Sequence, residues 1–188
     1  MVHFATKLSR KLLAGLAGSR FLRDQSAAIA VEFALLALPF FAIIGAILET
    51  SLVFLSIQVL DSAVGDATRQ IRTGQAQAAG FDVTRFEQLV CDKLYGLFGD
   101  CSGLYTSVTT ISDFSAVNVT PPVVSSCTNA CTWTQPEQYS PGLGSSTVLV
   151  QVYYKWPIML SIGGFDLADL SDHTRLLAAV RVFRNEPF

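Results

Sequence analysis

One long, nearly uncharged run near the N-terminus constrains this chain more than any other feature. Between Asp24 and Glu49 the only charged side chain is Glu32. Over residues 33–60 the only charge is Glu49, and this run exceeds the roughly 20 residues that a helix needs to cross a bilayer. The run therefore predicts a transmembrane helix over residues 28–60, whose excess length projects beyond the outer face of the membrane as the same helix.

Composition and charge divide the rest of the chain into a basic leader and an outward-facing head. Of the 188 residues, 51% are hydrophobic and only 15% are charged, which is too apolar for a soluble domain of this size. Residues 1–27 carry a net charge of +4, so the remainder carries −6 when the whole chain carries −2. Basic flanks stay cytoplasmic, so we expect a cytoplasmic leader over 1–27 and an extracytoplasmic neck and head over 61–188. The acidic remainder gives no case for nucleic-acid binding.

Three residues in the predicted membrane helix require an explanation. An intramembrane carboxylate is costly to desolvate and usually has a task, which makes Glu32 the first candidate functional residue. Glu49 lies about 25 Å further along a helix axis at 1.5 Å per residue, near the outer interface if Glu32 lies near the cytoplasmic one. There it either reaches the lipid headgroups or has a pairing role. Pro39 removes one backbone hydrogen bond, so we expect a kink in the transmembrane helix.

The sequence after the membrane run predicts a helical neck and a second helix. An apolar line at helical spacing runs through the neck, and Gly74 follows it as a C-terminal cap. Thr84 and Glu87 form a capping-box pair that opens the second helix. The neck line consists of Leu60, Val64, Ala67 and Ile71, and the second helix carries Phe86, Leu89, Val90 and Leu94 on one face.

Beyond Gly103 the sequence favours β-structure. Residues 104–111 and 147–156 are rich in β-formers, and 173–184 reads as a closing strand. Residues 121–144 form a long loop loaded with Pro, Ser, Gly, Asn and Thr. The predicted fold class is α+β: a long N-terminal transmembrane helix continues into a neck and is followed by a small disulfide-containing head of helix plus antiparallel sheet. Val148, Val150, Val152 and Tyr154 share one face of the second strand.

All four cysteines lie in the predicted outward part, which fits an oxidising compartment. Cys91, Cys101, Cys127 and Cys131 allow three disulfide connectivities, among which we favour the pairing of sequence neighbours, 91 with 101 and 127 with 131. The last two are separated by one residue too many for the usual redox spacing.

The sequence offers no credible catalytic residue, metal site or cofactor site. His173 is the only histidine after the leader, which itself holds His3, so a zinc site or a serine–histidine–aspartate triad would depend on His173 alone. No Gly-rich phosphate-binding motif is present. We therefore expect a protein that is not an enzyme.

The N-terminal residues resemble a known processing signal. A basic leader, a small residue and an apolar block with Glu32 and Phe33 at its fifth and sixth positions look like a type IV prepilin-class signal. The fuller resemblance is to the TadE-like minor pseudopilins of tight-adherence (Tad/Flp, type IVc) pilus systems. It rests on residues 30–35, Leu38-Pro39, residues 45–49 and the C-terminal ending 181–188.

This resemblance implies proteolytic processing and an assembly role. In the family, an aspartyl prepilin peptidase cuts before the apolar block, which places the cut between Ala27 and Ala28. The residue before the cut is usually Gly, whereas this chain has Ala27. Cleavage would create an α-amino group on Ala28, and that amine on a neighbouring subunit is a candidate partner for Glu32, because a buried carboxylate is tolerable chiefly beside a cation. Glu32 and Phe33 are thus the implied processing and assembly residues.

The implied function is structural: a minor pseudopilin that helps to initiate or cap a pilus for surface adherence. Its implied partners are the prepilin peptidase, TadF- and TadG-like pseudopilins, the major Flp pilin, and the inner-membrane pilus platform. The implied location is the bacterial inner membrane, as a single-pass protein with a periplasmic head, or the fibre itself. The alternative is a signal-anchored envelope protein whose head binds a partner or ligand without entering a fibre.

Overall fold

The computed structural model describes residues 25–127, 130–162 and 164–188. The chain divides into two compact units, Met1–Gly45 and Ala46–Phe188. Most of the predicted leader lies outside the described residues, and of Ala27 and Ala28 only the helical backbone is described. The boundaries of the leader and the transmembrane segment stay predictions.

The first helix, α1, spans Gln25–Arg72 and contains Pro39 in its interior. In the described part of the chain, it is the one helix long and apolar enough to cross a membrane, and none of its most apolar stretch is buried. Helical backbone continues on both sides of Pro39. The kink expected there stays a prediction.

The C-terminal part of α1 forms the helical neck that the sequence predicts. Leu60, Val64, Ala67 and Ile71 are fully buried, which confirms the apolar line. The helix ends at Arg72, and Gly74 adopts a left-handed backbone with φ of 78° that glycine tolerates without steric cost. The short helix α2, Gln75–Ala78, follows directly.

The second predicted helix, α3, spans Val83–Cys91, but its cap differs from the prediction. Asp82 is the N-cap residue, and its carboxylate accepts a hydrogen bond from the Arg85 N–H at 2.8 Å. The capping box of Thr84 and Glu87 is therefore wrong, since the helix begins one residue before Thr84. The predicted apolar stripe packs as expected, with Phe86, Val90 and Leu94 fully buried and Leu89 partly buried.

The strands of the head are β1 Leu104–Ile111, β2 Gln138–Tyr139, β3 Thr147–Pro157, β4 Ser161–Ile162, β5 Phe165–Asp166 and β6 Thr174–Arg184. Four of them form a sheet in the order β2-β1-β3-β6, which confirms the α+β class. Strand β1 pairs with β3, and β3 with β6, in antiparallel fashion, whereas β1 pairs with β2 in parallel. The sheet is thus mixed rather than wholly antiparallel, because two residues of the predicted loop 121–144 run alongside β1. A 3-10 helix at Phe114–Ala116 and the hairpin of β4 and β5 lie outside this sheet.

The two faces of the sheet are covered differently. The predicted face of β3 lies in the hydrophobic core with the neck and α3. The opposite face includes Tyr105 and Tyr153, and the ring of Tyr105 lies near the rings of both Tyr153 and Trp133. The loop before β2 therefore covers the second face, which explains why Leu149 and Tyr153 are buried as well as Val148, Val150 and Val152.

Candidate assembly site

The membrane-length part of α1 exposes an apolar surface that contains one carboxylate. Glu32 is exposed, and so are its neighbours Val31, Phe33 and Leu35. Among the described residues, none forms an ion pair or a hydrogen bond with Glu32. A carboxylate in such surroundings is stabilised by water or by a cation supplied from elsewhere.

Phe33 belongs to an open apolar groove on the same helix. The rings of Phe40 and Phe41 meet edge to face there, with centroids 5.4 Å apart. Because every lining side chain is apolar, the groove can contact lipid chains or another apolar helix but offers no group for chemistry. It is lined by Phe33, Leu36, Ala37, Phe40 and Phe41.

The second carboxylate of α1, Glu49, is buried and bound to the head. Its side chain accepts hydrogen bonds from the N–H of Met159 at 2.5 Å and from the N–H of Leu160 at 3.1 and 3.2 Å. Hydrogen bonds to an ionised acceptor are roughly twice as strong as neutral ones. Of the two roles left open for Glu49, this is a pairing role, with backbone N–H groups as the partners.

Two ion pairs join the neck to the last residues of the chain. Arg181 Nη2 lies 2.5 Å from Asp61 Oδ2 and also donates to the backbone oxygen of Asp61 at 3.2 Å. Arg72 Nε lies 3.5 Å from Glu186 Oε1. All four side chains are at least one-third exposed. Ion pairs this exposed contribute about 0–1 kcal/mol each to stability. They therefore orient residues 181–188 but add little to the stability of the fold.

A buried amide and an aromatic ring fasten the C-terminus more firmly. Asn185 is 3% exposed, and its Nδ2 donates to the carbonyl oxygens of Pro141 at 2.8 Å and Leu143 at 3.0 Å. The ring of Phe188 packs onto Gly74, where an added Cβ would lie 2.6 Å from the ring. The ending that the sequence singled out by resemblance therefore ties the loop before β3 to the end of the neck.

The four cysteines form two disulfides between sequence neighbours. Cys91 is bonded to Cys101, with Cα atoms 6.0 Å apart, and joins the end of α3 to the turn before β1. Cys127 is bonded to Cys131. Both bonds lie within the head, where they restrict the irregular segments that flank the sheet.

The second disulfide lies in a polar cluster with Asp172. That carboxylate and both sulfurs lie within 4.8 Å of one another, a spacing that could hold a metal ion. The sulfurs are joined as a disulfide, however, and a thiolate is the form that binds metal. Asp172 instead accepts the Cys131 N–H at 2.8 Å, and Lys155 donates to the Cys131 carbonyl, with its Nζ 4.8 Å from the Trp133 ring centre. These contacts hold the loop around Cys131 against β3, which carries Lys155, and against the segment before β6, which carries Asp172.

His173, on which a catalytic triad or zinc site would depend, lies at the surface. Its side chain is 75% exposed, and its Nδ1 lies 4.0 Å from Asp166 Oδ2. A pair this exposed is fully hydrated and is not arranged to activate a nucleophile in a water-excluded site.

The carboxyl group of Glu87, in the head, has a pKa that its surroundings shift. One carboxyl oxygen of Glu87 is buried without a hydrogen-bond partner among the described residues. Burial, a hydrogen bond with Glu137 and repulsion from its charge together raise the pKa of Glu87 to about 7. Glu137 also accepts the Thr106 N–H at 3.3 Å. The side chain expected to cap α3 thus faces the sheet edge instead.

The candidate residues fall into separate groups. Glu32, Phe33 and Pro39 lie on the exposed apolar part of α1, and the cysteines lie in the head. The partners of Glu49 and the role of Asn185 were not foreseen. A polar residue between a closing strand and the chain end, like Asn185, is the type of signal that could have indicated the latter.

Comparison with known proteins assigns the N-terminal part of the chain. Residues 27–69 match the family model of TadE-like proteins. The match covers most of α1, including Glu32 and Glu49, and confirms the predicted resemblance over these residues. The head and the ending 181–188 lie outside it. No curated protein and no solved structure matches the chain.

Proposed function

We propose that this chain, TadE-like over residues 27–69 and so associated with the Tad pilus, is a minor pseudopilin that helps to initiate or cap pilus assembly. In this proposal α1 anchors the protein in the inner membrane until assembly, and the disulfide-bonded head faces the periplasm. The prepilin peptidase removes residues 1–27. TadF- and TadG-like pseudopilins, the major Flp pilin and the inner-membrane platform are its partners.

The observation that carries the proposal is the exposed Glu32 on the apolar surface of α1. No described residue of the chain neutralises it. A carboxylate that must enter a poorly hydrated environment needs a cation or hydrogen-bond donors there. The absence of a partner on its own helix favours a partner on another molecule.

The proposed partner is the α-amino group of Ala28 on a neighbouring processed subunit. Cleavage after Ala27 creates that charge, and it cannot exist while the leader is attached. A buried ion pair between two apolar helices sets their axial register, because a one-turn shift of about 5.4 Å would separate the charges. Processing would thereby make the helix competent for assembly.

The most direct test is N-terminal sequencing of the protein extracted from membranes of cells with and without the peptidase. We expect Ala28 as the first residue when the peptidase is present, with a mass lower by roughly 3 kDa at about 110 Da per residue. Ala27→Arg is the matched control, since a bulky charge before the cut should retain the leader. A mature protein that starts at or near Met1 in the presence of the peptidase would refute the proposal and leave the signal-anchored envelope protein.

A further inference from the structure

We propose that the loop immediately after β3, residues 158–160, inserts the side chain of Met159 into the lipid interface as a second membrane contact beside α1. The inference rests on the proposed membrane anchoring by α1. It adds an interaction surface on the head whose partner is the outer leaflet of the same bilayer.

The position of this loop along α1 is set by Glu49. The N–H groups of Met159 and Leu160 both donate to the Glu49 carboxylate. A span of about 20 residues that begins at Ile29 ends at residue 48, next to Glu49. The loop is therefore bound to α1 at the level where the hydrocarbon core gives way to headgroups.

The side chain at the tip of the loop is apolar and exposed. Met159 is 85% exposed, whereas Ile158 and Leu160 on either side of it are partly buried. On α1, Ile47, Leu48 and Leu52 are also exposed beside the buried Glu49. The apolar surface of the membrane helix thus continues alongside the apolar tip of the loop, and this continuity favours lipid as the common partner.

The backbone of the loop is prepared for a poorly hydrated environment. Three consecutive N–H groups are satisfied within the chain: that of Ile158 donates to the His173 carbonyl at 3.1 Å, and those of Met159 and Leu160 donate to Glu49. Residue 157 is Pro, which has no N–H. Because unsatisfied backbone groups exclude irregular chain from lipid, these three satisfied donors lower the cost of placing the loop in the interface.

The loop also carries no charge that would oppose insertion. Residues 158–160 read Ile-Met-Leu. An uncharged apolar tip held at a fixed depth resembles an interfacial anchor more than a site for a hydrophilic ligand. Glu49 is shielded from lipid by its hydrogen bonds, since it is only 8% exposed.

The test places one environment-sensitive fluorophore at Met159→Cys in the full chain, reconstituted into vesicles of phosphatidylcholine and phosphatidylglycerol. The native cysteines are disulfide-bonded, so the introduced thiol is the one that reacts with maleimide. We expect blue-shifted emission, several-fold stronger quenching by nitroxide lipids labelled near the headgroup than in the control, and several-fold weaker quenching by aqueous iodide.

Leu143→Cys is the matched control. Leu143 is an exposed apolar residue, 76% exposed, in the loop before β3. The 11 residues of β3 separate the two loops by about 33 Å at roughly 3.3 Å per residue. Its label should be quenched by iodide and little affected by nitroxide lipid.

Two outcomes would overturn the inference while leaving the proposed function intact. Equal iodide quenching at both sites in vesicles that carry the protein on flotation would place the loop in water. Protection from iodide without quenching by nitroxide lipid would indicate a protein partner instead. If the protein fails to float with the vesicles, membrane anchoring by α1 is wrong, and the inference is overturned with it.

Discussion

The carboxylate of Glu49 accepts a hydrogen bond from the backbone N–H of Met159, 110 residues further along the chain, at 2.5 Å. This contact joins the helix that matches the TadE-like family model to the head, which lies outside that match. A second bond from the N–H of Leu160 completes the anchor. A side chain of α1 thereby fixes the position along the helix at which the loop after β3 is bound.

Replacing Glu49 with Gln should destabilise the head by about 1–3 kcal/mol, because two charge-assisted hydrogen bonds become neutral in a buried position. The amide hydrogens of Met159 and Leu160 should exchange faster than in the native protein. Glu32→Gln, at an exposed position without a partner in the described part of the chain, is the control and should change stability by less than about 0.5 kcal/mol. Unchanged exchange at both amides in Glu49→Gln would show that the contact does not hold the loop.

The Glu49 contact also shows what the sequence could not reveal. Helical periodicity identified the buried neck line, alternation identified β3, and β-forming residues identified β1 and β6, because those signals are local. A hydrogen bond between a helix and a loop 110 residues away leaves no periodic signal. The composition of the loop could suggest a turn but not its partner.

Replacing Asn185 with Ala should destabilise the head by about 1–3 kcal/mol, since the carbonyl oxygens of Pro141 and Leu143 would lose a buried donor. Thermal unfolding of the detergent-extracted protein measures the change. Asn118→Ala is the matched control, because Asn118 is exposed and its loss should be nearly neutral. Equal melting temperatures for the two variants would contradict the fastening role of the C-terminus.

The stability of the head should fall as pH rises from about 4.5 to about 7. The pKa of Glu87 is raised from 4.5 to about 7 by burial and by Glu137, so the folded head favours the protonated form. The contribution of this proton is complete below the unfolded pKa and is lost as pH passes through the folded value. Partial exposure of the site reduces the size of the effect.

Glu87→Gln tests this pH dependence directly, because Gln is neutral at every pH and similar in size. Denaturant unfolding between pH 4 and 8 should give a flatter stability profile for the variant than for the native head. An identical slope in both proteins would mean that another group titrates in this range.

Both local errors of the sequence interpretation come from tertiary packing that overrides a local motif. Thr84 and Glu87 have capping-box spacing, yet Asp82 caps the helix and Glu87 faces Glu137. The parallel strand β2 consists of two residues in a loop whose composition predicts no strand. Such short elements depend on a neighbouring strand and not on their own propensity.

The four cysteines should resist alkylation under denaturing, non-reducing conditions, because they form two disulfides. Full labelling of four thiols should appear only after reduction. The disulfide between Cys91 and Cys101 closes the longer of the two loops. Replacing both cysteines with Ser should cost about 2–4 kcal/mol of stability, because the unfolded chain regains the conformational freedom that the closed loop had removed. Alkylation of the unreduced native protein would show that the disulfides do not form in its compartment.

The proposed ion pair at Glu32 makes the sharpest prediction about assembly. Glu32→Gln keeps the size and polarity of the side chain but removes its charge, which would leave the amine of Ala28 on the neighbouring subunit uncompensated. Breaking a buried pair in this way typically costs about 3–5 kcal/mol, and water near the interface lowers that cost. We expect the variant to be inserted and cleaved normally, to co-purify poorly with other pseudopilins, and to support little adherence.

The matched comparison is Glu49→Gln, the same change on the same helix. Because Glu49 binds the head of its own chain, its loss should affect unfolding more than partner recovery, whereas Glu32 is exposed and its loss should leave unfolding of the isolated protein unchanged. Unfolding, recovery of partners after membrane extraction, and adherence are measured for both variants. Normal partner recovery and normal adherence with Glu32→Gln would refute the pairing role, since no other property of the side chain is altered.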